Sequence, residues 1–256
     1  MPVARLVPAL VVALTASALI AAPARAAIES PDPGTLGRPP LAGLRVAIDP
    51  GHNGGNAAHP QRLARLVPDG RGDRKACNTT GTATRAGYPE HAAVWSVARR
   101  TGQRLRDLGA TVTMTRHGDT GVGPCVDRRG RWSQRHRADV LVSLHADGSA
   151  DSSTRGAHVV RSWPPLSRSQ RQPSRRLAAA VLDAFRRADL AVTRSYGAAG
   201  LVQRNDLATL NHARRPAVLV ELGQMTNRAD ARLLSSPSGQ DHYAVVVVDA
   251  LRRWGA

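Results

Sequence analysis

The sequence predicts an α/β fold, a single domain with a central, mostly parallel sheet flanked by helices on both faces. Short runs rich in branched apolar residues, each bounded by turn-forming residues, predict strands. Longer stretches with apolar residues at helical spacing lie between these runs and predict helices. Strands that alternate with helices in this way favour a parallel sheet that is covered on both faces.

The predicted strands cover residues 44–48, 111–115, 140–144, 157–160 and 217–220. The clearest helix covers residues 90–108, where Val94, Thr101 and Leu105 recur at the spacing of one buried face. Gly109 follows this helix as a stop signal. Similar helices are predicted near residues 126–137, 173–188 and 240–254.

The N-terminal segment has the pattern of an export signal. Arg5 precedes an apolar stretch, which ends at the small residues around Ala24 and Ala26. A membrane anchor is the alternative, but the apolar stretch is shorter than the roughly 20 residues that cross a bilayer. The chain is predicted to divide into a signal peptide, a disordered proline-rich lead-in and one folded domain, at residues 1–26, 27–40 and 41–256.

Export would place the protein in a secreted or periplasmic compartment of the cell envelope, where thiols are oxidised. Cys77 and Cys125 are the two cysteines of the chain, and we expect them to form a disulfide. Two separate thiols are the alternative, which labelling with and without reductant would reveal. No later run is apolar enough to cross a bilayer, so no stable membrane insertion is expected once the signal is removed.

The formal net charge of +17 at pH 7 favours anionic partners. Nucleic acid is not the expected partner, because one Phe, three Tyr and four Trp offer few stacking platforms. An anionic polymer of the cell envelope fits an exported protein better. Alternatively, the arginine content reflects coding bias, since Lys75 is the only lysine among 36 basic residues.

A polar, glycine-rich segment at residues 59–87 interrupts the alternating pattern and contains Cys77. Long loops inside compact domains are usually functional or disordered. Because this segment lies between His52 and Glu90, we predict that it covers the functional site and is pinned by the disulfide to Cys125.

Four residues, His52, Glu90, His145 and Glu221, are candidates for a functional site. Three of them follow strand-like runs, and Glu90 opens a predicted helix. Residues just past the carboxyl ends of parallel strands converge at one edge of the sheet. Two neutral imidazoles and one carboxylate form a catalytic zinc set with a fourth position for water, and a further carboxylate can act as base. The pattern therefore predicts a metal-activated hydrolase.

Each candidate also has a structural interpretation. A single histidine is more often a hydrogen-bonded structural residue, but His52 lies in a tight turn between Pro50-Gly51 and Gly54-Gly55, which would expose its ring. Glu90 could be an acidic residue favoured in the first turn of a helix. Glu221 at the end of an apolar strand would be partly buried, which raises the pKa of a carboxyl toward that of a useful base.

The sequence resembles the zinc-dependent N-acetylmuramoyl-L-alanine amidases of the Amidase_3 type. The resemblance rests on residues 46–52, 89–91, 138–147 and 220–227. It implies a catalytic domain at 41–256 with one Zn²⁺ held by His52, Glu90 and His145, and with Glu221 as the catalytic carboxylate. It further implies that a water activated by zinc cleaves peptidoglycan between N-acetylmuramic acid and the L-alanine of the stem peptide.

This chain differs from many members of that family at Asn53, Asp147 and Gln224, which puts substrate preference in question more than the reaction. The expected partners are peptidoglycan or muropeptide fragments, and the protein is expected to be a monomer. Two alternatives stay open: another zinc-dependent envelope hydrolase, such as a carboxypeptidase or deacetylase, and a wall-binding protein without catalysis. A serine hydrolase is not expected, because the chain has no Gly-x-Ser-x-Gly.

Overall fold

The computed structural model describes Met1 and residues 38–255. The predicted signal peptide and most of the predicted lead-in lie outside the described residues. Within residues 38–255, the strands are β1 (Arg45–Pro50), β2 (Leu66–Pro68), β3 (Arg74–Ala76), β4 (Thr111–Met114), β5 (Val140–Asp147), β6 (His158–Ser162), β7 (Leu201–Arg204) and β8 (Ala217–Gln224). The helices are α1 (Pro60–Ala64), α2 (Glu90–Asp107), α3 (Val126–Gly130), α4 (Trp132–Arg135), α5 (Gln172–Arg187), α6 (Ala208–Asn211), α7 (Arg228–Ser235) and α8 (Pro237–Gly255).

The main sheet has six strands in the order β4-β1-β5-β8-β6-β7 within the described part of the chain. The pairs β4/β1, β1/β5, β5/β8 and β6/β7 are parallel, whereas β6 runs antiparallel to β8. The prediction of a mostly parallel sheet is therefore confirmed. The parallel strands β1, β5 and β8 are adjacent, so their carboxyl ends meet at one edge.

Each face of the sheet packs against its own set of helices, because side chains along a strand alternate between the faces. Val140, Val142 and Leu144 of β5 belong to the larger core, with apolar residues of α2, α5 and α8. Leu141 belongs to the smaller core on the opposite face, which Leu210 of α6 and Trp132 of α4 help to form. The predicted helical cover on both faces is confirmed.

Several predicted elements have different bounds in the structure. The strands β5 and β8 continue through His145 and Glu221, because these two residues are register partners across the parallel pair. The predicted helix at 126–137 consists of the two short helices α3 and α4, which meet at Arg131. Within the described residues, no helix combines the length and the apolar character needed to cross a bilayer.

The segment 59–87 is not the irregular loop that we predicted. It contains α1 and a small antiparallel sheet of β2 and β3. The disulfide between Cys77 and Cys125 is present and connects this segment to the start of α3. Arg71 adds a second attachment, because its guanidinium donates to Ser162 Oγ at 2.9 Å and to Asn211 Oδ1 at 3.1 Å. The role of the segment as a cover stays a prediction.

Candidate metal centre

Three of the four candidate residues meet at the carboxyl edge of the sheet. His52 follows β1, Glu90 is the first residue of α2, and His145 lies on β5. Each residue offers one potential ligand atom, and these atoms all lie within 4.8 Å of one another. Among the described residues, no other group of three His, Cys, Asp or Glu side chains has this arrangement.

The carboxylate of Glu90 lies between the two imidazoles. Its Oε1 is 3.2 Å from His52 Nε2 and 3.0 Å from His145 Nδ1, and its Oε2 accepts a hydrogen bond of 3.0 Å from the backbone N–H of Thr82. Burial opposes ionisation of this carboxyl, but hydrogen bonds from His145 and His52 outweigh burial and hold the pKa of Glu90 well below its usual range. Glu90 is therefore an anion at the centre of the cluster, and not a solvated first-turn residue.

His52 is held with one ring nitrogen facing the cluster. Its Nδ1 lies 3.0 Å from the backbone carbonyl of Thr79, which can only accept a hydrogen bond. When the His52 ring is neutral and binds a metal, its proton therefore lies on Nδ1, and Nε2 is the nitrogen that can act as the ligand atom. A carbonyl partner of this kind fixes the tautomer and orientation of histidines that bind metals.

Two glycines permit the close packing of the cluster. A Cβ at Gly51 would lie 2.3 Å from Cε1 of the His145 ring, a distance that no packed structure tolerates. Gly81 has a φ of 82°, and a Cβ there would lie 2.9 Å from both Glu90 and His52. Both positions exclude a larger residue for steric reasons, and Gly81 also for its left-handed backbone.

Glu221 lies beside this cluster, because it is the register partner of His145 on the neighbouring strand β8. Its Oε2 is buried and has no hydrogen-bond partner among the described residues. Burial raises the pKa of the Glu221 carboxyl well above its usual value, and the carboxylates of Glu90 and Asp147 raise it further. This direction agrees with the sequence-based expectation.

The four residues line a cavity of about 340 Å³. The strand β3 and the residues that follow it contribute Lys75, Thr79 and Gly81 to the wall, which also includes Arg204 and Thr209. A larger cavity of about 580 Å³ lies along α2, but arginine side chains and two aspartates line it, without any of the four candidates. The smaller cavity is therefore the one that can serve as a reaction site.

The structure brings together all four residues selected from the sequence. It also shows two groups of residues that the sequence analysis missed. The buried arginines Arg116 and Arg129 donate hydrogen bonds to the loop that carries His52. His158 on β6 is the register partner of Glu221, and burial lowers its pKa to about 4. Of these residues, only His158 had a signal in the sequence that could have revealed it, because a histidine at the start of an apolar strand is unusual.

Comparison with known proteins agrees with this geometry. Residues 46–253 match the model of the Amidase_3 family, described as N-acetylmuramoyl-L-alanine amidase. The N-acetylmuramoyl-L-alanine amidase Rv3717 of Mycobacterium tuberculosis is 43% identical over 208 residues, which span 81% of this chain and 85% of that protein.

Two crystal structures are similar to this chain in both fold and sequence. The N-acetylmuramyl-L-alanine amidase Ami1 of Mycobacterium smegmatis is 41% identical, with a TM-score of 0.80 over 84% of this chain and 97% of that one. The apo form of Ami1 from Mycobacterium abscessus is also 41% identical, with a TM-score of 0.81 over 84% of this chain and 100% of that one.

Proposed function

The chain belongs to the Amidase_3 family of N-acetylmuramoyl-L-alanine amidases, and from this premise we propose how its own residues carry out the reaction. The protein is a peptidoglycan hydrolase that cleaves the amide bond between N-acetylmuramic acid and the L-alanine of the stem peptide. The observation that carries the proposal is the cluster of His52, Glu90 and His145 with Glu221 directly beside it.

We propose that His52, Glu90 and His145 bind Zn²⁺. Two imidazole nitrogens and one carboxylate oxygen are the donor set of catalytic zinc sites, and they leave one coordination position open. The fit is supported by the His52 tautomer, since the bond from Nδ1 to Thr79 leaves Nε2 free as a ligand atom. When bound in such a site, zinc lowers the pKa of a water molecule and polarises a carbonyl oxygen.

Glu221 is the proposed proton carrier of the reaction. Its Oε2 is buried without a hydrogen-bond partner in the part of the chain that the structure describes, and its raised pKa makes it a stronger base than an exposed glutamate. In the first step it accepts a proton from the attacking water. In the second step it returns this proton to the amide nitrogen of the departing L-alanine, because an amine leaves far more readily when it is protonated.

The proposed substrate is intact peptidoglycan or its muropeptide fragments, and the proposed location is the cell envelope outside the cytoplasm. Residues 1–26 as export signal, 27–40 as lead-in and 41–256 as catalytic domain belong to this proposal. The disulfide supports it, because such bonds persist in oxidising compartments. We propose a monomer, since one chain supplies all four groups of the site.

The test compares wild type with Glu221→Gln in the digestion of purified peptidoglycan. Glutamine has nearly the same shape as a protonated glutamate, so this variant should fold and retain one zinc per chain. It cannot accept a proton, so turnover should fall by about 10²- to 10⁴-fold. Metal analysis and mass spectrometry of the products are the measurements, and Asp183→Asn on the exposed surface of α5 is the control.

The products separate amidase action from the other envelope hydrolases. An amidase releases intact stem peptides, a carboxypeptidase releases single terminal amino acids, and a deacetylase releases acetate. Full activity of Glu221→Gln would remove Glu221 from the mechanism. If the wild-type protein is active without bound metal and is insensitive to chelators, zinc has no part in the mechanism.

A further inference from the structure

The loop that carries His52 is held by two buried arginines. Arg129 donates to the carbonyl oxygen of Pro50 at 2.7 Å and to that of His52 at 2.9 Å. Arg116 donates to the carbonyl of Pro50 at 3.0 Å and to that of Gly51 at 3.2 Å. Three successive carbonyl groups therefore point at guanidinium groups. Arg129 is only 2% exposed and Arg116 only 3%.

The charge of Arg129 is balanced by the buried carboxylate of Asp49, near the end of β1 and just before this loop. Arg129 Nη1 lies 2.8 Å from Asp49 Oδ1, and Asp49 also accepts hydrogen bonds from Thr115 and Ser143. Removing two charges from water opposes folding, and apolar residues of similar volume often stabilise a core as well or better. The ion pair therefore points to a role besides stability.

That role is visible in the backbone of His52. This residue has a φ of 56°, the left-handed region, which is unfavourable for a side chain with a Cβ. Its carbonyl accepts from Arg129, while its ring donates to the carbonyl of Thr79 at 3.0 Å. The backbone and the ring are therefore fixed by separate contacts, which together direct Nε2 at Glu90.

The contacts of Arg129 need the planar fork of a guanidinium. Its Nη2 also donates to Asn53 Oδ1 at 2.7 Å, and its Nε donates to the carbonyl of Pro124 at 2.8 Å. A lysine ammonium would keep the charge opposite Asp49, but it cannot reach acceptors on several sides at once. Pro124 precedes Cys125, so Arg129 also connects the His52 loop to the disulfide.

We propose that Arg129 is a positioning residue of the metal centre: it holds the backbone of His52 in the left-handed conformation and so sets the affinity of the site for metal. This inference rests on the proposed role of His52 as a ligand. Arg129 touches neither the ligand atoms nor the substrate cavity, and it acts through the carbonyl of His52.

The experiment measures zinc affinity of the metal-free protein by competition with a chromophoric chelator. Arg129→Lys keeps the charge balance with Asp49 and loses the fork, so zinc should bind about 10- to 100-fold more weakly, as is usual when the partner of a ligand is altered. Arg161→Lys is the matched control. Arg161 is a buried arginine, 5% exposed, whose guanidinium lies over the ring of Trp163 and forms no hydrogen bond or ion pair with residues 49–53, so its variant should bind zinc like wild type.

A second variant covers the case in which Arg129→Lys does not fold. Asp49→Asn combined with Arg129→Met removes both charges, so that no single buried charge remains. It should also bind zinc at least about 10-fold more weakly. The d–d spectrum of bound Co²⁺ should change in either variant, because the His52 ligand is displaced. A purely structural role would lower the melting temperature and leave both readouts unchanged.

The outcomes distinguish this inference from the proposed function. A wild-type protein that does not bind zinc would contradict the proposed function itself. Wild-type binding together with unchanged affinity and unchanged Co²⁺ spectrum in both Arg129 variants would overturn the positioning role alone. Weaker binding in Arg161→Lys of the same size would also overturn it, since any buried arginine would then have the effect.

Discussion

The two sides of the site differ in how completely their polar groups are hydrogen bonded. The ligand side comprises the proposed metal ligands His52, Glu90 and His145 together with residues 49–53. Here both oxygens of Glu90 and the backbone carbonyls of residues 50–52 have partners. The base side comprises Asp147, His158, Glu221 and Gln224. Among the described residues, Glu221 Oε2, His158 Nδ1 and Gln224 Oε1 are buried there without a partner.

This difference corresponds to the different tasks that we propose for the two sides. Metal ligands have to keep their positions, and hydrogen bonds to neighbouring groups fix them before the metal binds. A proton carrier has to change its charge during the reaction. Burial without full hydrogen bonding destabilises the charged form of Glu221 and raises its pKa. The same unsatisfied environment therefore makes the Glu221 carboxylate more basic. We expect the ligand side to be rigid and the base side to be sensitive to pH.

The largest effect is expected from Gly51→Ala on the ligand side. The new Cβ would lie 2.3 Å from the His145 ring, so the ring has to leave the cluster. Stoichiometric zinc binding should be lost, together with peptidoglycan hydrolysis, as measured by metal analysis and product release. Gly118→Ala is the control, because a Cβ there meets no atom within 4 Å. Normal zinc content in Gly51→Ala would show that the ligand side is less rigid than described.

A smaller effect is expected from loss of the disulfide, which borders the ligand side through Asn78 and Thr79. Cys77 and Cys125 are 48 positions apart, and closing a loop of this length stabilises a fold by up to about 4 kcal/mol. The double variant Cys77→Ala and Cys125→Ala should lose most of this free energy of unfolding. Chemical denaturation of the metal-free protein measures it. A loss below about 1 kcal/mol would contradict the loop-closure argument.

On the base side, His158→Gln should change how stability depends on pH. Burial lowers the pKa of His158 to about 4 from its usual value of 6.5. Between these two pH values, the histidine is protonated in the unfolded chain and neutral in the folded protein. The contribution of His158 to stability is therefore complete above pH 6.5 and is lost as the pH falls toward about 4.

Between pH 7 and pH 4, wild type should lose more free energy of unfolding than His158→Gln, by at most about 3 kcal/mol. Denaturation of both metal-free proteins at several pH values measures the difference. Parallel curves for the two proteins would mean that His158 is accessible to protons in the folded state.

The smallest effect is expected from Gln224→Leu. The amide oxygen of Gln224 has no hydrogen-bond partner within residues 38–255, and its Nε2 lies 3.5 Å from Asp147 Oδ2, which is a weak contact. Removing a poorly bonded polar group should change the free energy of unfolding by less than about 1 kcal/mol.

Gln240→Leu is the matched comparison for Gln224→Leu. Its side chain bonds to Ser96, Tyr88 and the carbonyl of Leu234. Losing these bonds should destabilise the protein by at least about 2 kcal/mol. If both variants lose the same free energy, Gln224 is fully hydrogen bonded in solution and the contrast between the two sides is smaller than described.

Much of the architecture was predictable because it depends on local patterns. The runs that became β1, β5 and β8 alternate with helical periodicity, and a residue at the end of a buried parallel strand has to lie at the sheet edge. His145 and Glu221 were therefore predictable as neighbours. The disulfide was predictable because a chain with two cysteines has one possible internal pairing.

Only the tertiary structure decided which residues support the site. Arg129 and Asp49 are 80 positions apart in the sequence. Arg116 and Arg129, which hold the His52 loop, lie in segments whose local pattern resembles that around the many exposed arginines. The antiparallel direction of β6 and the small sheet of β2 and β3 could not be predicted from the sequence either. Periodicity records which face of a segment is buried, whereas the partner of a buried charge depends on how distant segments pack together.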